Sequence, residues 1–264
     1  MRVLTASLDL HGFLARIAAA RERVLMLDYD GTLAPFQVRP ERALPYPGVT
    51  EALGELMNDG GTRVVIISGR SAAELVPLLA LARHPEIWGC HGWERLLPDG
   101  ELRAQRLSAH EAATLEDAER AARDLPPGGA RIERKPASIA VHWRGLPALH
   151  IARVRKQVEA AWSALAEHDG MELLPFDGGI ELRARGCNKQ HAVKAVLSET
   201  GPDSAIAYLG DDVTDEDAFA VMKLRGIGVL VRPECRETVA DVWIRPPREL
   251  LAFLGHWRTG RRIA

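Results

Sequence analysis

The stretch VLMLDYDGTL, residues 24–33, decides the fold. Its apolar residues run directly into Asp28 and then Asp30, followed by Gly31 and Thr32. An uninterrupted apolar run suits a strand buried on both faces, as in a parallel sheet covered by helices on either side. Four further runs share the signature: RVVIIS (63–68), EIWGC (86–90), AIAYLG (205–210) and GIGVLV (226–231). Helical patterns lie between several of them. TEALGELMNDGG (50–61) sets Leu53, Leu56 and Met57 on one stripe and stops at glycines. Ser71 and Glu74 form a capping box ahead of a helix that Pro77 shortens or kinks. Strands alternating with helices predict a doubly wound α/β domain.

The middle of the chain follows another pattern. Ser108 and Glu111 cap a helix running to about Leu125, closed by PPGG (126–129). RIERK (131–135) and SIAVHWR (138–144) flank Pro136 as a strand pair, and MELLPF (171–176) and GIELRA (179–184) form a second pair around DGG (177–179). Between the pairs, Ile151, Val154, Val158, Ala161, Trp162 and Leu165 recur at helical spacing. Residues 104–182 are therefore expected to form an inserted α+β module. The α/β core is expected over residues 1–103 and 183–264.

The chain has 264 residues, 47% apolar and 27% charged, with a formal charge of −2. A core of that size is ample, and no basic field draws the chain to nucleic acid or an anionic membrane. No apolar run approaches the ~18 residues a membrane span needs. The first twenty-odd residues are interrupted by Asp9, Arg16 and Arg21, unlike a secretory signal core. Cys90, Cys187 and Cys235 are widely spaced with no CxxC pair, which reads as reduced thiols and a cytoplasmic location.

Ligands of open parallel sheets bind beyond the carboxyl ends of the strands. There the first run delivers Asp28 and Asp30, the second Ser68, Gly69 and Arg70, and the fourth GDDVTDED (210–217). Taken singly, Asp30-Gly31 reads as a turn, Ser68-Gly69 as a strand-to-helix turn and Thr214 as a helix cap. Together they gather acids that repel one another, which a divalent cation relieves. Oxygen ligands without a His/Cys grouping suit Mg²⁺. Lys189 opens a helix that Asn188 caps, at the end of the dipole that disfavours a cation. It is expected to face an anion such as phosphate.

DYDGTL, SGR, Lys189 and GDDVTD, in that order, resemble the four motifs of the haloacid dehalogenase superfamily of phosphotransferases, and the inserted module resembles that superfamily's cap. ISGRS, GCHGWER, ERKPASIAVHWR, IELRARGCNK and YLGDDVTDEDAF further resemble the trehalose-6-phosphate phosphatases, with Trp93 and Gln190 departing from the usual pattern. The resemblance implies a haloacid-dehalogenase-like core of Rossmann type with a cap as substrate lid. It implies that Asp28 attacks phosphorus and becomes an aspartyl phosphate, while Asp30 protonates the departing sugar oxygen and then takes a proton from water. It places Mg²⁺ on Asp28, the Asp30 carbonyl, Asp211 and Asp215, and puts Ser68 and Lys189 on the phosphate oxygens. Gly69, Arg70, His91, Glu94, Glu133, Lys135, His142, Arg144 and Glu181 are the candidates for holding the sugar phosphate. Without the resemblance, the module's residues read as a solvated sheet face and His91 as a structural histidine. The implied activity is hydrolysis of trehalose 6-phosphate, supplied by a trehalose-6-phosphate synthase of the same pathway. The alternatives are another phosphorylated disaccharide or sugar-glycerate, or a catalytically silent sugar-phosphate sensor.

Overall fold

The structure, a computed structural model, describes residues 1–124, 129–176, 178–186 and 188–259. The chain divides into two compact units, Met1–Arg103 with Lys189–Ala264, and Ala104–Asn188. In chain order the first unit opens with β1 (Arg2–Val3), α1 (Leu10–Ala19), β2 (Arg23–Leu27), α2 (Val49–Asn58), β3 (Thr62–Ile67), α3 (Ala72–Leu79), β4 (Glu86–Gly89), β5 (Glu94–Leu96) and β6 (Leu102–Ala104). The second unit holds α4 (Ala109–Arg123), β7 (Arg131–Lys135), β8 (Ser138–His142), α5 (Ala148–Ala166), β9 (Met171–Phe176) and β10 (Gly179–Ala184). The first resumes with α6 (Lys189–Ser198), β11 (Ala205–Gly210), α7 (Glu216–Met222), β12 (Ile227–Val231), β13 (Val242–Ile244) and α8 (Arg248–Thr259).

The first sheet has the order β1-β13-β12-β11-β2-β3-β4-β5-β6. From β13 to β4 every pairing is parallel. Successive side chains of a strand point to opposite faces, so each central strand feeds two cores. Leu25 and Leu27 of β2 join α1, α2, α3 and α8 through Ile17, Leu53, Leu75 and Phe253. Val24 and Met26 join α6 and α7 through Val193, Val196 and Phe219. This is the three-layer reason those strands read as continuous apolar runs. The short outer strands β1, β13, β5 and β6 add to the five strands expected. The third run stops at Gly89, one residue early, because Cys90 and His91 turn into the left-handed region at φ 48° and 57°. Pro77 lies inside α3, which ends at Leu79 with Ala80 left-handed at φ 50°.

In the second unit, α4 and α5 cover one face of an antiparallel sheet ordered β7-β8-β10-β9. Leu115, Val158 and Trp162 pack there against Ile139, Val141, Ile180 and Leu182. The capping box of Ser108 and Glu111 opens α4. The expected end of that helix at 125–128, Asp177 of the DGG turn and Cys187 lie outside the described residues. The second unit reaches Asn188 rather than 182, since β10 continues to Ala184 in register with Met171. Among the described residues no helix is long and apolar enough to cross a membrane.

Candidate active site

At the carboxyl end of β2, the Asp28 amide still donates to the Leu209 carbonyl at 2.8 Å. The chain then folds back: Leu33 and Ala34 donate to the Tyr29 carbonyl at 2.9 and 3.0 Å, and Gly31 donates to the Ala34 carbonyl at 2.7 Å. Gly31 has φ +84°, and a Cβ there would lie 2.2 Å from Asp211 Oδ2. Only glycine lets this turn approach the second acidic loop. Thr32 Oγ1 donates to Asp28 Oδ2 at 3.4 Å.

The acidic loop follows β11. Asp28, Asp211 and Asp215 each offer a carboxylate oxygen within 4.8 Å of the others, and all three are buried. Lys189, also buried, donates from Nζ to Asp28 Oδ1 and to Asp215 Oδ1, both at 2.7 Å. Asp215 Oδ2 accepts from the amides of Asp211 and Asp212 at 3.0 Å each, and its Oδ1 also accepts from the Tyr208 hydroxyl. Those four donors engage both Asp215 oxygens, so Asp215 acts here as the post that fixes Lys189 and the loop backbone. Thr214, which taken singly reads as a helix cap, supplies no capping bond to the turn or to α7. Asp212 supplies the capping side chain to Val213–Asp215, because its carboxylate stands one residue before that turn and accepts from Val213 N at 2.8 Å.

Burial pushes the Asp28 carboxyl up to about 7, with Asp215 and Asp30 adding to the rise and Lys189 opposing it. Burial, then Asp28 and Asp215, raise Asp211 well above the usual carboxylate range. Burial works against the Lys189 ammonium, but Asp215 and Asp28 prevail and hold it protonated above the ordinary lysine range. A single buried lysine thus pairs with Asp28 and Asp215, while half-buried Arg232 reaches only to 3.9 Å from Asp211 Oδ2, and the three acids keep an excess of negative charge. A set of buried oxygen donors with an excess of negative charge and no nitrogen or sulfur ligand fits a hard divalent ion.

Asp30 points elsewhere. Its carboxylate is held by both arms of Arg70, Nε to Oδ2 at 2.6 Å and Nη2 to Oδ1 at 2.7 Å. Arg70 Nη1 donates to the Pro40 carbonyl at 3.0 Å, and the guanidinium lies over the Tyr29 ring. Arg70, a candidate for holding the sugar phosphate, is here engaged with the acid through a bidentate fork, the geometry in which a guanidinium meets either a carboxylate or a phosphate. Ser68 is buried and accepts from the Arg70 amide at 3.2 Å. The left-handed Cys90–His91 turn donates to the carbonyls of Arg70 and Ser68, at 2.8 Å each, and fixes the SGR turn. The His91 ring comes so near Gly69 that a Cβ there would lie 2.6 Å from Nε2. Glu94 opens β5, buried, with Oε1 accepting from Ala72 N at 2.6 Å at the start of α3. That oxygen serves a helix terminus, not an outgoing ligand contact.

In the second unit, alternation puts Glu133, Lys135, His142 and Glu181 on the sheet face away from α4 and α5. Glu133 and Glu181 both pair in register with Ala140. His142 Nε2 lies 2.7 Å from Glu133 Oε2, and Lys135 Nζ lies 3.6 Å from Glu133 and 3.8 Å from Glu181. Ser138 Oγ donates to buried Glu181 at 2.7 Å. Burial opposes ionisation of Glu133, but the His142 bond and Lys135 hold it well below the usual carboxylate range. Arg144 lies just past β8, exposed, beside Gly178. Sequence reasoning missed Thr32, Tyr208, Arg232 and Arg236. Tyr208 left one signal, a phenol in an aliphatic strand, which needs an acceptor when buried.

A family model described as trehalose-phosphatase matches residues 26–241. A trehalose-phosphate phosphatase of Mycobacterium marinum is 31% identical over 246 residues, covering 88% of this chain and 60% of that protein. Its counterpart from Mycobacterium leprae is 33% identical over 227 residues, covering 81% of this chain and 51% of the relative. The chain thus spans roughly half or somewhat more of the length of these curated relatives. The fold matches the C-terminal domain of a Candida albicans trehalose-6-phosphate phosphatase at TM-score 0.82 and 23% identity, covering 98% of this chain and 99% of that one.

Proposed function

The chain belongs to the trehalose-phosphatase family, and on that premise we propose that it hydrolyses trehalose 6-phosphate to trehalose and phosphate through an aspartyl phosphate on Asp28. The observation that carries this is the buried Asp28 carboxylate, aimed by Lys189 at 2.7 Å inside an acidic cluster at the carboxyl ends of parallel strands. A carboxylate nucleophile splits one hard displacement into two easier ones. Asp28 attacks phosphorus, and the P–O bond to the sugar breaks. Asp30 gives the leaving oxygen a proton, then accepts one from the water that attacks the aspartyl phosphate. Each Asp30 oxygen keeps a lone pair free of the Arg70 fork for this exchange. Lys189 and Ser68 steady the phosphoryl oxygens, and the remaining catalysis is positioning and electrostatics. Mg²⁺, held by Asp28 and Asp211 with Asp215 behind them, would neutralise charge on the phosphoryl group.

The polar face of the second unit's sheet is assigned to sugar recognition. Lys135→Ala and Glu181→Ala each remove charge-assisted hydrogen bonds typically worth ~1.5–3 kcal/mol. The expected loss is about 10- to 100-fold in kcat/KM on the disaccharide phosphate, with hydrolysis of para-nitrophenyl phosphate nearly unchanged. Parallel loss on both substrates would assign these residues to folding instead.

Phosphate release across a panel of sugar phosphates tests the substrate, and trehalose 6-phosphate is expected to lead. A better phosphorylated disaccharide or sugar-glycerate would replace it. Turnover should vanish in excess chelator and return with Mg²⁺; full activity after exhaustive dialysis into chelator would remove the metal from the mechanism. A cytoplasmic location and a trehalose-6-phosphate synthase as supplier complete the reading, in keeping with three widely spaced cysteines and no CxxC pair.

A further inference from the structure

The loop after β12 carries Arg232 and Arg236, which the chemistry above does not use. Arg236 donates from Nη2 to the Asp212 carbonyl at 2.7 Å and from Nε to the Asp211 carbonyl at 3.3 Å. Its Nη1 donates to the Glu237 carbonyl at 2.7 Å and to Glu216 Oε1. Glu216 Oε2 in turn accepts from Val239 N at 2.8 Å, tying the two loops together. Arg232 Nη1 adds a second donor to the Asp211 carbonyl at 3.2 Å. The Asp211 peptide is thus held from both sides. Asp215 takes its amide from within, and the guanidinium groups take its carbonyl.

We propose that Arg236 is a positioning residue for the divalent cation, fixing the Asp211–Asp212 backbone so that the Asp211 carboxylate meets the ion already aimed. The inference rests on the reading of Asp28 and Asp211 as cation ligands. Irregular backbone between β11 and α7 has no ladder to hold it, so rotation of the Asp211 peptide would swing the carboxylate away. Partners behind a metal ligand typically govern affinity by 10- to 100-fold. Charge alone gives the opposite sign. A guanidinium near a divalent cation repels it, so if charge mattered most, removing Arg236 would tighten binding. Fork geometry predicts weaker binding, and it predicts that lysine, a single point charge, does not substitute.

The experiment titrates MgCl₂ into the purified full chain without substrate, by calorimetry and by the cation-dependent rise in Tm. Arg236→Gln and Arg236→Lys are both expected to bind Mg²⁺ roughly 10- to 100-fold more weakly. Their turnover should return close to wild type at saturating Mg²⁺. Unchanged or tighter binding in Arg236→Gln overturns the inference, as does wild-type affinity in Arg236→Lys. A wild-type chain that binds no divalent cation overturns the metal reading itself and this inference with it. If Arg236→Gln does not fold, Glu216→Gln, which removes the partner holding the guanidinium, is read in the same way.

Discussion

Asp28→Asn is expected to release no phosphate above background while folding as the wild type does. Asparagine keeps the size of the side chain and an oxygen to which Lys189 can donate, but the attacking charge is gone. Removing the nucleophile of a covalent mechanism costs on the order of 10⁶-fold in kcat. Stability should move the other way. Burial pushes Asp28 up to about 7 from an ordinary value of 3.8, with Asp215 and Asp30 adding to it. A carboxyl whose folded-state pKa is raised binds more protons folded than unfolded, so metal-free wild type loses stability as pH climbs from about 4 to about 7. The variant has no such group and is expected to melt at or above wild type at pH 8 in chelator. Acid-quenched reactions with a phosphorus-labelled sugar phosphate supply the second readout, a labelled chain in wild type and none in Asp28→Asn. Wild-type turnover in the variant would sink the mechanism, and loss of activity with a collapsed Tm would make Asp28 a folding residue.

The sequence made the centre of the molecule legible and its edges much less so. β2, β3, β4, β11 and β12 were readable because burial on both faces leaves no polar residue to break the run. β1 and β13 were not, because strands of two or three residues carry no periodicity. Within the site, the acids and Lys189 were legible because ionisable groups at the ends of apolar strands need a reason to be there. What each group touches was not. Arg70 reads as a phosphate or sugar ligand until the fold brings it against Asp30, forty residues away in the chain. Glu94 likewise reads as a free acid until Ala72 arrives beneath it. Arg232 and Arg236 sit on irregular backbone where no local rule says which way a side chain turns.

Lys189→Met tests whether one buried cation balances the acids, and its signature is a pattern across conditions. Methionine is close in length and apolar, so packing is conserved while the charge between Asp28 and Asp215 disappears. Removing one partner of a buried ion pair costs about 3–5 kcal/mol. At about 2–4 °C per kcal/mol for a chain of this size, Tm in chelator at pH 8 should fall by about 6–20 °C. The sign with pH follows from both partners. Asp215 and Asp28 outweigh burial and hold Lys189 protonated above its ordinary value of 10.5, so across pH 5–8 the lysine keeps its charge and what it stabilises depends on how many of the acids are ionised. Asp28 and Asp211, raised first by burial, ionise only as pH rises well past the usual carboxylate range. Their repulsion in the variant is therefore largest at pH 8 and relieved toward pH 5, where the gap to wild type should close. Saturating Mg²⁺ should also restore much of the lost Tm, because a divalent ion neutralises the same acids. It should not restore turnover. In the proposed mechanism Lys189 would hold Asp28 in line and face the charge that develops on phosphorus, and loss of one such donor costs on the order of 10²–10³-fold. Rescue of stability without rescue of rate separates the two roles. If Mg²⁺ returns both, the lysine only balances charge; if Tm at pH 8 does not fall, the acids are not the repelling cluster the buried geometry describes.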